Sequence, residues 1–220
     1  MTFVLSLPSP SASVPLIHST AIVEKDVQIG EGTTVWDHVH IRRAARIGKQ
    51  CIVGEKTYIA PGVRIGSRVK INAFVYICSE VTVEDGAMIS AGVIFTNDRY
   101  PRATTPDLTQ LRSSEPDEHT LQTLVGEGAT IGAGCRIGPG LVVGRFSMIG
   151  MGSIVTRSVP DFALAVGTPA RVVGYVCRCG QPLLRLEPDS APIQAILQCG
   201  DCRRTYDLRG GGLAELLSNP

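Results

Sequence analysis

Aromatic side chains are scarce in this sequence, with five Phe, five Tyr and one Trp in 220 residues. A helical bundle or a core filled with rings has little to draw on. Neither sign of charge is in excess: 21 Lys and Arg face 20 Asp and Glu, for a formal charge of +1. That balance leaves no electrostatic footprint for nucleic acid or an anionic membrane. No apolar run approaches the ~20 residues that cross a bilayer. The opening stretch MTFVLSLPSPSASVP has a short apolar run with no Lys or Arg before it, so it does not read as a secretory signal. Residues 1–16 read instead as a flexible lead. Histidine is limited to positions 18, 38, 40 and 119, which leaves few candidates for proton transfer near neutral pH.

Glycine is abundant, at 24, and cysteine is odd in number, at seven. Three of the cysteines fall within a repeat, which favours a reducing, cytoplasmic setting over a disulfide framework. The repeat has a period of six. Ile17, Val23, Ile29, Val35, Ile41 and Ile47 open a series that continues through Ile89 to Phe95 and resumes from Val125 to Val155. Four residues after each comes a small or branched side chain, such as Thr33, Val39, Ala45, Cys51 or Val63. An α-helix would smear this pattern around its cylinder, since it turns every 3.6 residues. Short strands on a coil with three flat faces accommodate it, with the large aliphatic pointing inward and the small residue packed near a corner. Coils stacked about 4.8 Å apart then pair as parallel strands. The fold class expected is all-β, a left-handed parallel β-helix over residues 17–174.

Folded modulo eighteen, one face gathers His40, Tyr58 and Tyr76 at equivalent places, and the next gathers Arg42, Arg43, Arg46 and Arg64. Such clustering points to a subunit interface or ligand groove, or else to a harmless surface stripe. The repeat breaks at FTNDRYPRA, residues 95–103, and an irregular loop runs over 98–122. A loop of that length in a regular solenoid is functional or a tolerated insertion.

Residues 17–174 resemble the hexapeptide-repeat sugar-nucleotide N-acetyltransferases. The likeness is strongest to those that acetylate UDP-2-acetamido-3-amino-2,3-dideoxyglucuronate. It is carried by IHSTAIV at the start, VWDHVHI at 35–41, FTNDRYPRA at 95–103, TLVGEGATIGAGC at 123–135 and VPDFALAVGTPARVVG at 159–174. The resemblance implies an acetyl-CoA-dependent enzyme, a homotrimer, and substrates meeting in grooves between neighbouring prisms. It places Asn97 near the sugar amine, Arg102 at an anionic part of the sugar nucleotide and Arg99 as its helper. An arginine fork suits carboxylate or pyrophosphate. Asn72 and Tyr76, on the aromatic face, join the expected substrate contacts, and His40 is a candidate catalytic contact. Gly132, Gly150, Thr168, Pro169, Ala170 and Arg171 match the acetyl-CoA end. The chain departs from the glucuronate enzymes at Asn72-Ala73-Phe74 and at Cys78-Ser79, so the sugar stays open. Acyl transfer to another small amine or hydroxyl, or a non-catalytic scaffold, are the competing readings.

After Gly174 the repeat is gone. Cys177 and Cys179 form C-x-C, and Cys199 and Cys202 form C-x-x-C. Two such knuckles can complete a tetrahedral Cys₄ zinc site of structural type, or remain as paired thiols or disulfides. Residues 175–220 therefore read as a zinc-ribbon-like appendage.

Overall fold

The computed structural model describes residues 14–187 and 194–216. The expected flexible lead falls outside the described residues up to position 13, and its end already belongs to the fold, because the first strand is Leu16–Ile17. From there to Val155 the chain is a solenoid of two- and three-residue strands, all paired in parallel. The pairs on each face are one coil apart. Ile17 aligns with Val35, Val35 with Val53, Val53 with Ile71, and Ile71 with Ile89 on the first face. The second face carries the outward column Ile22, His40, Tyr58, Tyr76, Ile94, Arg136 and Ile154. The third carries Gln28, Arg46, Arg64, Thr82, Leu124 and Val142. The architecture is the expected parallel β-helix.

The inward residue of each strand makes the core. Ile41, Ile59, Ile71, Ile77, Ile89, Ile131 and Phe95 are fully buried, as are the small residues Val39, Ala45, Cys51 and Cys135 beside them. Each buried aliphatic contributes about 1.5–3 kcal/mol by leaving water. Cys51 and Cys135 are therefore core fillers in a continuous aliphatic column.

Two separate demands account for the glycines. From Asp26 to Gly92 every sixth residue has a positive φ, so each corner is turned by a left-handed residue. Gly32, Gly62, Gly86 and Gly92 occupy that position, and so do Asp26, His38, Ala44, Gln50, Lys56, Arg68, Phe74 and Glu80. None of these is β-branched, the class for which left-handed backbone is most costly. The column Gly30, Gly48, Gly66 answers to crowding instead: a Cβ on Gly48 would lie 2.5 Å from the carbonyl of Gly66.

The loop after Phe95 is inserted at a corner without disturbing the stack, since Val83 still pairs with Val125 on the third face. It is held by its own contacts. Arg112 donates to the Tyr100 carbonyl at 3.1 Å and to Asp117 at 3.0 Å, and Asp98 bridges Thr120. Beyond Val155 the first face gains Ala163–Gly167 in parallel and then Ala170–Val176 and Pro182–Arg185 antiparallel. Ala170–Val176 runs across the expected domain boundary at 174/175, so one strand belongs to both the β-helix and the appendage. Ala195–Gln198, Thr205–Arg209 and Gly212–Leu216 form a separate antiparallel sheet.

Candidate active site

The corner between the second and third faces stacks Arg42 and Arg43, then Ala60 and Pro61, then Cys78 and Ser79, then Asn97. Each group follows a second-face strand and lies one coil above the last. The loop passes over this column with Ser114, Glu115 and Pro116, and the space between is a cavity of about 520 Å³ that also touches Tyr58 and Tyr76. Arg43 fastens the cover, its Nη2 donating to both carboxylate oxygens of Glu115 at 3.1 and 3.2 Å.

Asn97 is fixed at the back of the cavity. Its Nδ2 lies 3.2 Å from the Ser79 carbonyl oxygen and 2.9 Å from Ser79 Oγ, and its own carbonyl accepts from Leu121 N at 2.8 Å. A backbone carbonyl can only accept, so the end of the amide facing Ser79 must be the NH₂. That leaves Oδ1, a pure acceptor, for whatever enters. Ser79 stands eighteen residues before Asn97, at the same corner of the preceding coil. Beside it, burial pushes the Cys78 thiol up to about 12, so this sulfur stays protonated and is no nucleophile.

A second cluster supports the wall. Glu24 Oε1 lies 3.0 Å from His40 Nε2 and 2.6 Å from Arg42 Nε, and Glu24 Oε2 accepts from Arg43 N at 2.9 Å. That backbone hydrogen bond, with those of His40 and Arg42, holds the Glu24 carboxyl below its ordinary range against the opposing effect of desolvation. Arg42 also donates to the Tyr58 hydroxyl at 2.7 Å. Tyr58 stacks on Tyr76 with centroids 5.2 Å apart, and His40 meets its edge at 5.5 Å. The equivalent places read from the sequence are thus a contiguous ring ladder. His40 is hydrogen-bonded to Glu24 and lies on the second face outside the lining of this cavity.

Of the expected substrate contacts, the cavity unites Asn97 and Tyr76. Asn72 sits at the preceding corner, where its carbonyl accepts from Thr57 Oγ1 at 3.1 Å. Arg99 lies over the ring of Tyr100 and Arg102 donates to the Pro101 carbonyl; both are exposed and outside the cavity lining. Gly132 and Gly150 lie between the first and second faces, and stacking alone explains their lack of a side chain. A Cβ on Gly132 would stand 2.5 Å from Met151 N, and one on Gly150 would stand 2.6 Å from Val166 Cγ1. Thr168 and Pro169 form the exposed turn of the hairpin next to them, followed by half-buried Ala170 and exposed Arg171 at the start of its second strand, with Arg171 donating to the Ala170 carbonyl. The residues expected at the acetyl-CoA end and Asn97 therefore occupy different corners of one prism. A wider groove of about 760 Å³ on the third face holds Arg46 and Arg64 of the arginine cluster, with Glu127, but none of the expected substrate or acetyl-CoA contacts. The four cysteines of the appendage do converge, with their Sγ atoms all within 4.8 Å of one another.

Sequence reasoning missed Ser79 and Glu24. The signal was present for both in the eighteen-residue offset, Ser79 from Asn97 and Glu24 from Arg42.

Comparison with known proteins identifies the repeat. Residues 44–78 and 62–97 match the bacterial transferase hexapeptide, and residues 122–157 match the hexapeptide repeat of succinyl-transferase. A curated relative from Aneurinibacillus thermoaerophilus, dTDP-3-amino-3,6-dideoxy-alpha-D-galactopyranose 3-N-acetyltransferase, is 38% identical over 96 residues. The match spans 44% of this chain and 46% of the relative, just under half the relative's length. Among solved structures, PerB from Caulobacter crescentus, in complex with CoA and GDP-perosamine, is similar at 24% identity and a TM-score of 0.43. The match covers 74% of this chain and 58% of PerB. WeeI from Acinetobacter baumannii AYE is similar at 25% identity and a TM-score of 0.45, over 70% of this chain and 55% of WeeI. By these matches, residues 44–97 and 122–157 carry bacterial transferase hexapeptide repeats, and the chain is similar over 96 residues to a nucleotide-linked amino-sugar N-acetyltransferase.

Proposed function

We propose that this chain transfers an acetyl group from acetyl-CoA to the amino group of a nucleotide-linked amino sugar. The observation that carries the reading is Asn97 in the cavity lining, its Nδ2 taken by Ser79 so that Oδ1 is the end of the amide left to accept. Such an acceptor suits a neutral amine: it takes one N–H and leaves the nitrogen lone pair directed elsewhere. That lone pair attacks the thioester carbonyl carbon, a C–N bond forms and the C–S bond breaks. One amine proton is lost, and the products are the amide and the free thiol of CoA. With Cys78 neutral and His40 outside the cavity lining, the departing thiolate, directly or through water, takes that proton. Placement of the two substrates then supplies much of the rate. The 38% identical relative, an amino-sugar N-acetyltransferase by name, supports the acceptor class.

Acetyl-CoA fits the other corner of the prism. Exposed Met151 and Val166 beside Gly150 offer apolar surface to a pantetheine arm, and Arg171 has no carboxylate partner among the described residues. Because that corner and the Asn97 corner flank the same second face, the site is completed by placing a second copy against it. The homotrimer belongs to this reading, and the exposed apolar side chains Ile22, Phe74, Tyr76 and Ile154 on and beside that face support it. Arg99 and Arg102, exposed at the rim of the loop, remain the residues to meet the anionic part of the nucleotide. Zinc belongs to it only as a structural ion at Cys177, Cys179, Cys199 and Cys202; no step of the transfer runs through it. A cytoplasmic setting, where acetyl-CoA and reduced thiols coexist, completes the assignment.

The test is thiol release from acetyl-CoA across a panel of dTDP- and UDP-linked amino sugars. Turnover with at least one, lost in Asn97→Ala, is the expected result. Saturable CoA binding without release on any amino sugar would redirect the reading to another acceptor. No CoA binding at all would leave a scaffold.

A further inference from the structure

The four cysteines of the appendage are arranged around one point. Cys177 and Cys179 lie in the turn between Ala170–Val176 and Pro182–Arg185, and Cys199 and Cys202 lie in the turn between Ala195–Gln198 and Thr205–Arg209. Both turns are closed by the same pair of backbone hydrogen bonds, the second turn being one residue longer. In the first, Cys177 N donates to the Gln181 carbonyl and Gly180 N to the Cys177 carbonyl, each at 2.8 Å. In the second, Cys199 N donates to the Arg204 carbonyl at 2.9 Å and Arg203 N to the Cys199 carbonyl at 3.0 Å. Gly180 and Arg203, at matching places, both have positive φ, 91° and 61°. These are two knuckles facing each other.

The sulfur contacts run between knuckles. Cys177 Sγ lies 3.3 Å from Cys202 Sγ and Cys179 Sγ lies 3.7 Å from Cys199 Sγ. A disulfide requires about 2.05 Å. A tetrahedron with metal–sulfur arms of about 2.3 Å has edges near 3.8 Å. Hence the spacing is that of four ligands around a shared centre. We propose that Cys177, Cys179, Cys199 and Cys202 bind one zinc ion, which locks the appendage onto the end of the β-helix as its cap. An all-sulfur set selects a thiophilic cation, and four protein ligands leave no open position for chemistry.

The cap is specified by what the second knuckle carries. Tyr206, four residues after Cys202, is fully buried; its hydroxyl lies 3.1 Å from Cys177 Sγ and accepts from Arg178 N at 3.0 Å. Its ring meets the edge of Phe162, which stacks on Phe146 of the last complete coil. Arg178, inside the first knuckle, lies 4.4 Å above Phe146 and reaches Glu127 and Glu215. The metal site is therefore joined through three rings to the open end of the solenoid core. Solenoids need such terminal caps. Apart from Tyr206, the small sheet buries only Leu208 and Leu213 deeply, too little to hold three strands without a further constraint.

Metal content of the purified full chain tests this directly and does not depend on any transferase activity. One zinc per chain by elemental analysis is expected. So is a tetrahedral tetrathiolate absorption spectrum when cobalt replaces zinc during expression. Chelation at neutral pH is expected to make 175–216 protease-sensitive while the coils resist. Cys202→Ser, at an exposed ligand, is expected to lower zinc retention without changing that coil resistance. A chain that purifies without zinc and with all four thiols reactive overturns the site, as does iron in its place or a pair of disulfides. Protease resistance unchanged by chelation overturns the capping role.

Discussion

Asn97 shows how a single residue acquires a direction. An asparagine amide can present either end, and here the Ser79 carbonyl decides, because it can only accept. The hydroxyl of Ser79 adds a second contact to the same nitrogen, so this serine positions Asn97 for the proposed amine acceptor. Ser79→Ala is expected to reduce turnover on the amino-sugar panel, by up to the roughly hundredfold that an ångström of misplacement costs. Ser79→Thr, which keeps the hydroxyl, is expected to restore much of it, and equal losses in the two would defeat the assignment. Glu24 has a different signature. Its folded carboxyl is held below the ordinary value of 4.5, chiefly by Arg43 N. Such a group stabilises the fold fully above its unfolded value and loses that contribution as pH falls through the folded one. The difference in urea midpoint between the native chain and Glu24→Gln should therefore be constant above pH 4.5 and shrink on further acidification. A difference that grows on acidification would reverse the argument.

Among the elements, the coil repeats its demands and so was legible. Period six fixed the inward column, and all its members from Val35 to Phe95 are buried. The left-handed corner column escaped notice because its occupants, from Asp26 to Gly92, share no chemistry, only the lack of β-branching. The glycine column at 30, 48 and 66 was visible, but its cause is backbone contact between coils. The two kinds of glycine should separate on mutation. Gly48→Ala, whose Cβ would sit 2.5 Å from the Gly66 carbonyl, is expected to cost about 3 kcal/mol in denaturant unfolding. Gly62→Ala, with nothing within 4 Å and a φ of 71°, should cost only the ~1 kcal/mol of a left-handed alanine, as Ala44 already tolerates. In the candidate site, Asn97 was legible through resemblance, whereas its partner Ser79 emerges only when corners are aligned as faces were. Glu24, the partner of His40, likewise emerges only when corners are aligned, since it stands one coil before Arg42.

The described chain is a prism with proposed substrate contacts at two corners, a loop over one and a four-cysteine segment at one end. One chain holds both proposed substrate ends but sets them on opposite sides of a face. Light scattering after size exclusion should therefore report three times the 23.4 kDa chain mass. A monomer that turns over amino sugars at full rate would show that the neighbouring copy is dispensable. The pairing of Val83 with Val125 across the insertion has a further consequence. The loop leaves the second face after Phe95 and rejoins the third at Thr123, its two ends paired at Asp98 and Thr120, so its length and composition are uncoupled from the register of every coil above it. Such a corner behaves as a socket: cover segments from other acceptor-binding relatives could be exchanged there, retuning selectivity while the frame beneath stays unaltered.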